Sequence, residues 1–102
     1  MVDKVLSLLS IAAKGGNIKS GEFSVEDAIK SYKAWLVIIA SDASANTTKK
    51  FSDMCKFREI PFYIYATKET LARALGKDFR SVAAITDEGL ATAVASKIES
   101  NG

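Results

Sequence analysis

The spacing of apolar residues changes repeatedly along this chain, and the changes predict helices that alternate with short strands. Where apolar side chains recur every three or four positions, as at Val5, Leu9 and Ala12, the pattern is typical of a helix with one buried face. This pattern predicts helices over residues 3–14, 24–33, 47–60, 67–75 and 87–98. Shorter apolar runs between them predict strands over residues 17–20, 35–40, 62–65 and 82–86.

Polar residues at the helix starts support these boundaries. Asp3, Thr67 and Asp87 are candidate N-caps, because a short polar side chain can accept a hydrogen bond from a free amide of the first turn. Ser24 and Asp27 fit the Ser-x-x-Asp form of a capping box, which predicts that the second helix begins at Ser24.

The order of the elements predicts the fold class. The run Trp35–Ala40 is apolar without alternation, as expected of a strand covered on both faces. Helices that alternate with strands predict a four-stranded mixed sheet, at least partly parallel, with helices on both sides. With 102 residues, of which 48% are apolar, residues 1–102 are expected to form one domain. The predicted architecture is an α/β protein, a three-layer α/β/α sandwich.

Composition narrows the possible functions. One cysteine and no histidine argue against disulfide frameworks, zinc sites and histidine-based catalysis, and so against an enzyme. Fourteen basic and twelve acidic residues give a net charge of only +2, so a nucleic-acid site would have to cluster its positive charge. No apolar run approaches the roughly 18 residues of a membrane span, and no secretory signal opens the chain, so a cytoplasmic protein is expected.

Three predicted loops are candidate binding sites, because ligands of open α/β sheets usually meet the carboxyl ends of strands. They cover residues 20–24, 41–46 and 76–81. In the first loop, Gly21 permits close backbone approach, and the following helix start can hold a phosphate or the edge of an unusual base pair. An ordinary turn before a capped helix explains the same residues. The flanking segments offer lysines for phosphate contacts: Lys14, Lys19, Lys30 and Lys33.

The third loop combines a hinge, two cations and an aromatic ring. Phe79 can pack against a splayed base or a sugar while Arg80 contacts a phosphate, as proteins often grip RNA outside regular duplex. An exposed loop with a half-buried phenylalanine is the alternative.

The second loop raises a different possibility, since Asp42 follows the most buried strand, where receiver-type domains carry a phosphoacceptor aspartate. Such a site needs further carboxylates to hold magnesium, and only Glu22 stands nearby. A structural role for the loop is favoured.

Cys55 is expected to be a buried thiol, since no histidine is present to activate it. The strand aromatics are expected in the core: Trp35, Phe62, Tyr63 and Tyr65.

From Ser20 to Lys50 the chain resembles the kink-turn-binding ribosomal-protein family of large-subunit and small nucleolar particles. The similarity rests on Ser20–Glu22, Ala28-Ile29 and Lys33–Ala40. The features that resemble the family's bacterial branch are Asp42–Thr47 with Lys49-Lys50, then Ile60-Pro61, Leu75–Lys77 and Val82–Ile85. The similarity covers roughly residues 5–95.

This resemblance implies the same three-layer sandwich and binding of a kink-turn, an internal loop with tandem sheared G·A pairs and a sharp bend. In the family, the loop before the second helix and the start of that helix enter the widened groove, and a loop before the last strand covers splayed-out nucleotides. The matching segments here are residues 21–27 and 77–81. One departure stands out: where many members carry x-Asn-Glu or x-Lys-Gln and a later lysine, this chain has Glu22-Phe23-Ser24 and Asp27.

The expectation is a noncatalytic RNA-binding protein that recognises structured ribosomal or other noncoding RNA, in particular a kink-turn. No cofactor, metal, membrane or small-molecule substrate is expected. The candidate RNA-binding residues are Lys19, Gly21, Glu22, Phe23, Ser24, Asp27, Lys30, Lys33, Lys77, Phe79 and Arg80. The alternatives are a protein-interaction module on the same fold with reduced RNA affinity, and a phosphotransfer domain using Asp42.

Overall fold

A computed structural model describes residues 3–101 as five helices and four strands in alternation. The helices are α1 (Lys4–Lys14), α2 (Glu22–Lys30), α3 (Ala45–Arg58), α4 (Lys68–Leu75) and α5 (Glu88–Asn101). The strands are β1 (Ile18–Ser20), β2 (Leu36–Ile39), β3 (Phe62–Ile64) and β4 (Val82–Ile85). Every predicted element is therefore present, with shifts at several boundaries.

The four strands form one mixed sheet in the order β1-β4-β2-β3. Strand β4 runs antiparallel to both of its neighbours, whereas β2 and β3 are parallel. All residues of β2 and β4 are buried, as the unbroken apolar run predicted for β2.

Alternate residues of β2 face opposite sides of the sheet and separate two hydrophobic clusters. Leu36 and Ile38 belong to a cluster that α1, α4 and α5 complete, for instance with Leu9. Val37 and Ile39 belong to the other cluster, which α2 and α3 complete. Helices thus cover both faces, and the predicted three-layer α/β/α sandwich is confirmed.

The predicted start of the second helix at Ser24 is wrong. Gly21 is the N-cap of α2, with φ at 88°, and none of the side chains in the described part of the chain caps this end. Ser24 lies inside the first turn, so the predicted Ser24–Asp27 capping box does not form. The helix also ends earlier than predicted, at Lys30, where the Ser31 hydroxyl donates to the carbonyl of Asp27 at 2.8 Å.

The other caps follow ordinary helix chemistry. Asp3 accepts from the amide of Leu6 at 3.0 Å, and Asp87 accepts from the amide of Leu90 at 2.9 Å, both as predicted. Thr67 and Thr70 form a capping box at the start of α4. Helix α3 begins two residues before the predicted start, since the cap is Ser44.

The aromatic residues of the strands divide between core and surface. Phe62, Tyr63 and Tyr65 are half-buried, but Trp35 is 47% exposed, so its expected place in the core is wrong. Trp35 precedes β2 by one residue, and its ring lines an open groove beside α5 rather than the sheet interior.

Cys55 is fully buried, as predicted, and burial raises the pKa of its thiol to about 11. Within residues 3–101, no helix is both long enough and apolar enough to cross a membrane.

Candidate nucleic-acid interface

The antiparallel pairing of β1 with β4 brings two predicted loops together. Because β1 ends beside the start of β4, the residues after Ser20 lie next to the residues before Val82. The amide of Gly21 donates to the carbonyl of Val82 at 3.2 Å, and the amide of Ala40 at the end of β2 donates to Ser81 at 2.7 Å. We call this the loop end of the sheet: residues 20–24, 41–46 and 76–81.

The tip of α2 is shaped by Gly21. Its φ of 88° lies in a region that residues with a side chain rarely adopt, and it lets the chain pass from β1 directly into the helix. Since none of the described side chains caps this end, the first-turn amides keep their donor capacity and the positive end of the helix dipole faces outward. Phe23 projects from the same turn with 87% of its surface exposed.

Glu22 has a structural partner that the sequence did not indicate. Its carboxylate accepts a hydrogen bond from the buried hydroxyl of Thr47 at 3.0 Å, and Thr47 in turn accepts from the hydroxyl of Ser44 at 3.0 Å. The bond ties the start of α2 to the start of α3. One oxygen of Glu22 is therefore engaged within the protein.

Arg80 holds the third loop in shape. Its Nε donates to the hydroxyl of Ser20 at 3.2 Å, and its Nη1 donates to the carbonyls of Asp78 and Phe79 at 2.6 and 2.9 Å. Phe79 has a φ of 24°, unusual for a residue with a side chain, and its ring is 74% exposed. Since a guanidinium carries five N–H donors, the two donors on Nη2 are left for a ligand.

The candidate lysines do not all lie at the loop end. Lys19 is exposed on β1 beside the tip of α2, and Lys77 is exposed in the third loop. Lys30 and Lys33 lie at the other end of α2, and at about 1.5 Å of rise per residue the start of the helix is about 12 Å from Lys30. The structure therefore places only part of the predicted set around Gly21.

Lys30 is also engaged in an ion pair. Its Nζ lies 2.7 Å from a carboxylate oxygen of Glu26, whose other oxygen lies 2.7 Å from the Nζ of Lys50. These two hydrogen bonds hold the pKa of Glu26 at about 2, well below its ordinary value. Glu26 thereby joins α2 to α3 and neutralises one cation from each.

Negative charge is present on α2 as well. Asp27 is exposed one turn beyond Ser24, on the same side of the helix. A carboxylate at this position repels a phosphate backbone that approaches the tip of α2.

Asp42 has a hydrogen-bond partner at the start of α4. Its carboxylate accepts from the amide of Lys68 at 2.7 Å, at the start of α4. A phosphotransfer site would need at least two more carboxylates beside Asp42. Among residues 3–101, no three His, Cys, Asp or Glu side chains are placed together to hold a metal ion. The geometry supports the structural role favoured for this loop.

Known proteins resemble this chain in sequence and in fold. The family model for the ribosomal protein L7Ae/L30e/S12e/Gadd45 family matches residues 3–95. The chain is 36% identical over 92 residues to a Bacillus subtilis protein called RNA-binding protein YlxQ, covering 90% of this chain and 92% of that protein.

Two solved structures have the same fold. A Bacillus halodurans protein of unknown function superposes with a TM-score of 0.93 at 36% identity, covering 96% of this chain and 99% of that one. The 15.5kD RNA binding protein of Giardia lamblia superposes with a TM-score of 0.81 at 25% identity, covering 98% of this chain and 89% of that one.

Proposed function

Because the chain belongs to the ribosomal protein L7Ae/L30e/S12e/Gadd45 family, we propose that it is a noncatalytic RNA-binding protein. The observation that carries the proposal is the joining of two loops at the loop end, where the uncapped tip of α2 lies against the Arg80 loop. The names of the relatives from Bacillus subtilis and Giardia lamblia support RNA as the ligand.

The loop end offers donors and rings for RNA that departs from regular duplex. Free amides at the tip of α2 can donate to base edges or phosphate oxygens. Phe23 and Phe79 are exposed enough to stack on unpaired bases. Lys19, Lys77 and the remaining donors of Arg80 supply positive charge around these groups.

The RNA in this proposal is a kink-turn, as the family resemblance implies. Its tandem G·A pairs widen the groove for the tip of α2, and its splayed nucleotides come within reach of the Phe79 loop. In this proposal Gly21 permits close approach, and Glu22, Phe23, Ser24 and Asp27 form the surface that faces the G·A pairs. Lys30 and Lys33 would contact phosphates only where the RNA extends along the whole of α2.

A titration with two RNAs tests the proposal. One RNA contains a kink-turn, and the other is the same molecule with its tandem G·A pairs converted to Watson–Crick pairs. We expect tighter binding of the kink-turn RNA at physiological salt, since only the widened groove admits the helix tip. Equal affinity for the two RNAs would mean that binding is charge attraction without recognition of the bend.

The second candidate function is a protein-interaction module with reduced RNA affinity. It is favoured by the combination at the tip of α2, where the exposed ring of Phe23 stands beside the carboxylates of Glu22 and Asp27. Aromatic side chains are enriched at protein interfaces. Failure of both RNAs to bind even at low salt would favour this function.

A further inference from the structure

A cleft next to the loop end extends beyond the surface described above and shares Ser20 and Lys77 with it. It lies between the end of α1, strand β1 and the end of α4, and has a volume of about 390 Å³. Its polar lining comes from five side chains: Ser10, Lys14, Ser20, Arg73 and Lys77. The cleft therefore gathers residues from three separate parts of the chain, within residues 10–14, 18–20 and 73–77.

The charges that line this cleft are all positive. Lys14, Arg73 and Lys77 line it, and none of the described carboxylates does. In residues 3–101 neither Lys14 nor Lys77 forms an ion pair. Arg73 pairs with Glu69 at 2.8 Å, but both side chains are largely exposed, so the pair is weak in water.

A groove at the start of β2 is lined by the reverse charge. The groove beside Trp35 is lined by Glu59, Glu88 and Glu99 and, within residues 3–101, by no cation. The net charge of +2 thus conceals two recesses of opposite charge, with three cations lining the cleft and three carboxylates lining the groove. An anion is drawn towards the lining of the cleft and away from that of the groove.

The cleft also offers neutral donors. The hydroxyl oxygen of Ser20 accepts from Arg80 at 3.2 Å, which leaves its own O–H to donate into the cleft. The backbone amides at the end of α4 are already used, since Gly76 donates to Arg73 and Lys77 donates to Ala72. A ligand would therefore be held by ammonium, guanidinium and hydroxyl groups, which together suit phosphate oxygens.

We propose that this cleft is a second RNA contact site, which binds the sugar-phosphate backbone of the helix that flanks the bend. The inference rests on the proposed function and extends it. Ser20 joins the two sites, because it lines the cleft and also bonds to the Arg80 loop. An RNA seated on the tip of α2 and the Phe79 ring would continue across Ser20 towards Lys14.

Lys14 is the residue to change, because it belongs to the cleft and not to the surface around Gly21. The matched variants are Lys14→Gln, Lys14→Arg and Lys97→Gln, the last on α5, where Lys97 forms no ion pair in the described chain. Each is titrated with the kink-turn RNA and with the Watson–Crick control over a range of salt. A parallel titration uses inorganic phosphate.

We expect Lys14→Gln to bind both RNAs several-fold more weakly than the wild type. Each lost phosphate contact should reduce the slope of log affinity against log salt by about 0.7–0.9. Lys14→Arg keeps the positive charge and should therefore retain the salt slope, whereas Lys97→Gln, outside the cleft, should bind both RNAs as the wild type does. An unchanged slope for Lys14→Gln on both RNAs would overturn the second site, as would binding of inorganic phosphate as tightly as RNA.

The two proposals fail in different ways. Suppose that Lys14→Gln lowers the salt slope but the wild type binds the two RNAs equally. The cleft is then supported as an RNA contact site, and kink-turn recognition is excluded. If the wild type prefers the kink-turn and Lys14→Gln matches it in slope, recognition stands and the cleft is excluded. Absence of binding to either RNA overturns both.

Discussion

The Nε of Arg80 donates a hydrogen bond to the hydroxyl of Ser20 at 3.2 Å, which joins two loops that lie 60 residues apart in the chain. The same guanidinium holds the carbonyls of Asp78 and Phe79, so one side chain sets both the shape of the third loop and its contact with the tip of α2. The planar fork of arginine is needed for this geometry, and the single ammonium of lysine cannot reproduce it.

Arg80→Lys should therefore loosen the loop although the charge is kept. We expect faster hydrogen exchange at the amides of residues 78–80, a loss of roughly 1 kcal/mol in the free energy of unfolding, and weaker RNA binding. The control is Lys77→Arg, which also exchanges one cation for another in this loop. Unlike Arg80, the side chain of Lys77 forms no hydrogen bond within the loop that the change could remove. Equal exchange rates in Arg80→Lys and wild type would show that the loop is held by other contacts.

The variant Phe23→Ala tests whether the ring of Phe23 stacks on an RNA base or contacts only a protein partner. Because the ring is 87% exposed, its removal should change the free energy of unfolding by less than about 0.5 kcal/mol. If the ring stacks on a base, binding of the kink-turn RNA should weaken by about 1–3 kcal/mol. The RNA affinity of the variant is measured by fluorescence anisotropy. An affinity equal to that of the wild type would favour the interaction-module function.

Asp27→Lys should strengthen RNA binding. The variant replaces repulsion of the phosphate backbone by attraction, and one pair of unit charges at 4 Å in water is worth about 1 kcal/mol. We expect a several-fold rise in affinity at low salt and a steeper salt dependence, with Asp27→Asn between the two. If all three proteins bind alike at low salt, this side of α2 faces away from the RNA.

Lys19 and Lys33 test which part of α2 the RNA covers. Replacing both with alanine should weaken RNA binding and flatten its salt dependence. Since Lys19 lies beside Gly21 and Lys33 lies beyond the far end of α2, the single variant Lys19→Ala should account for most of the change. An effect carried mainly by Lys33→Ala would move the RNA to the far end of the helix.

Glu26 makes the stability of the protein vary with pH in the acidic range. The hydrogen bonds from Lys30 and Lys50 lower its pKa in the folded state from 4.5 to about 2. A carboxylate with a lowered pKa stabilises the fold above its unfolded pKa, and this contribution is lost as the pH falls through the folded value. Glu26→Gln should therefore be less stable than the wild type at neutral pH.

The difference between Glu26→Gln and the wild type should narrow steadily as the pH falls from about 4.5 to about 2. Urea unfolding at several pH values measures it. Glu59→Gln, which changes a carboxylate that has no ion pair in the described chain, serves as the control. A difference that stays constant with pH would mean that Glu26 contributes through packing rather than through its charge.

Local signals explain which helix boundaries could be predicted. Asp3, Thr67 and Asp87 act as predicted because a cap needs only a polar side chain and the amides two or three residues later. The prediction fails at Ser24, because the positive φ of Gly21 lets the chain enter α2 two residues earlier, at Glu22. The sequence does not show which backbone conformation a glycine before a helix adopts.

The sequence by itself determined the alternation of helices and strands and the two-sided burial of β2, since both depend on the periodicity of apolar side chains. Only the tertiary structure decided that β1 lies against β4, which brings Gly21 to Arg80 and separates Lys30 and Lys33 from them. It also decided that Lys14, Arg73 and Lys77 share one cleft. Strand order and the meeting of distant side chains depend on packing of the whole chain, which no local pattern encodes.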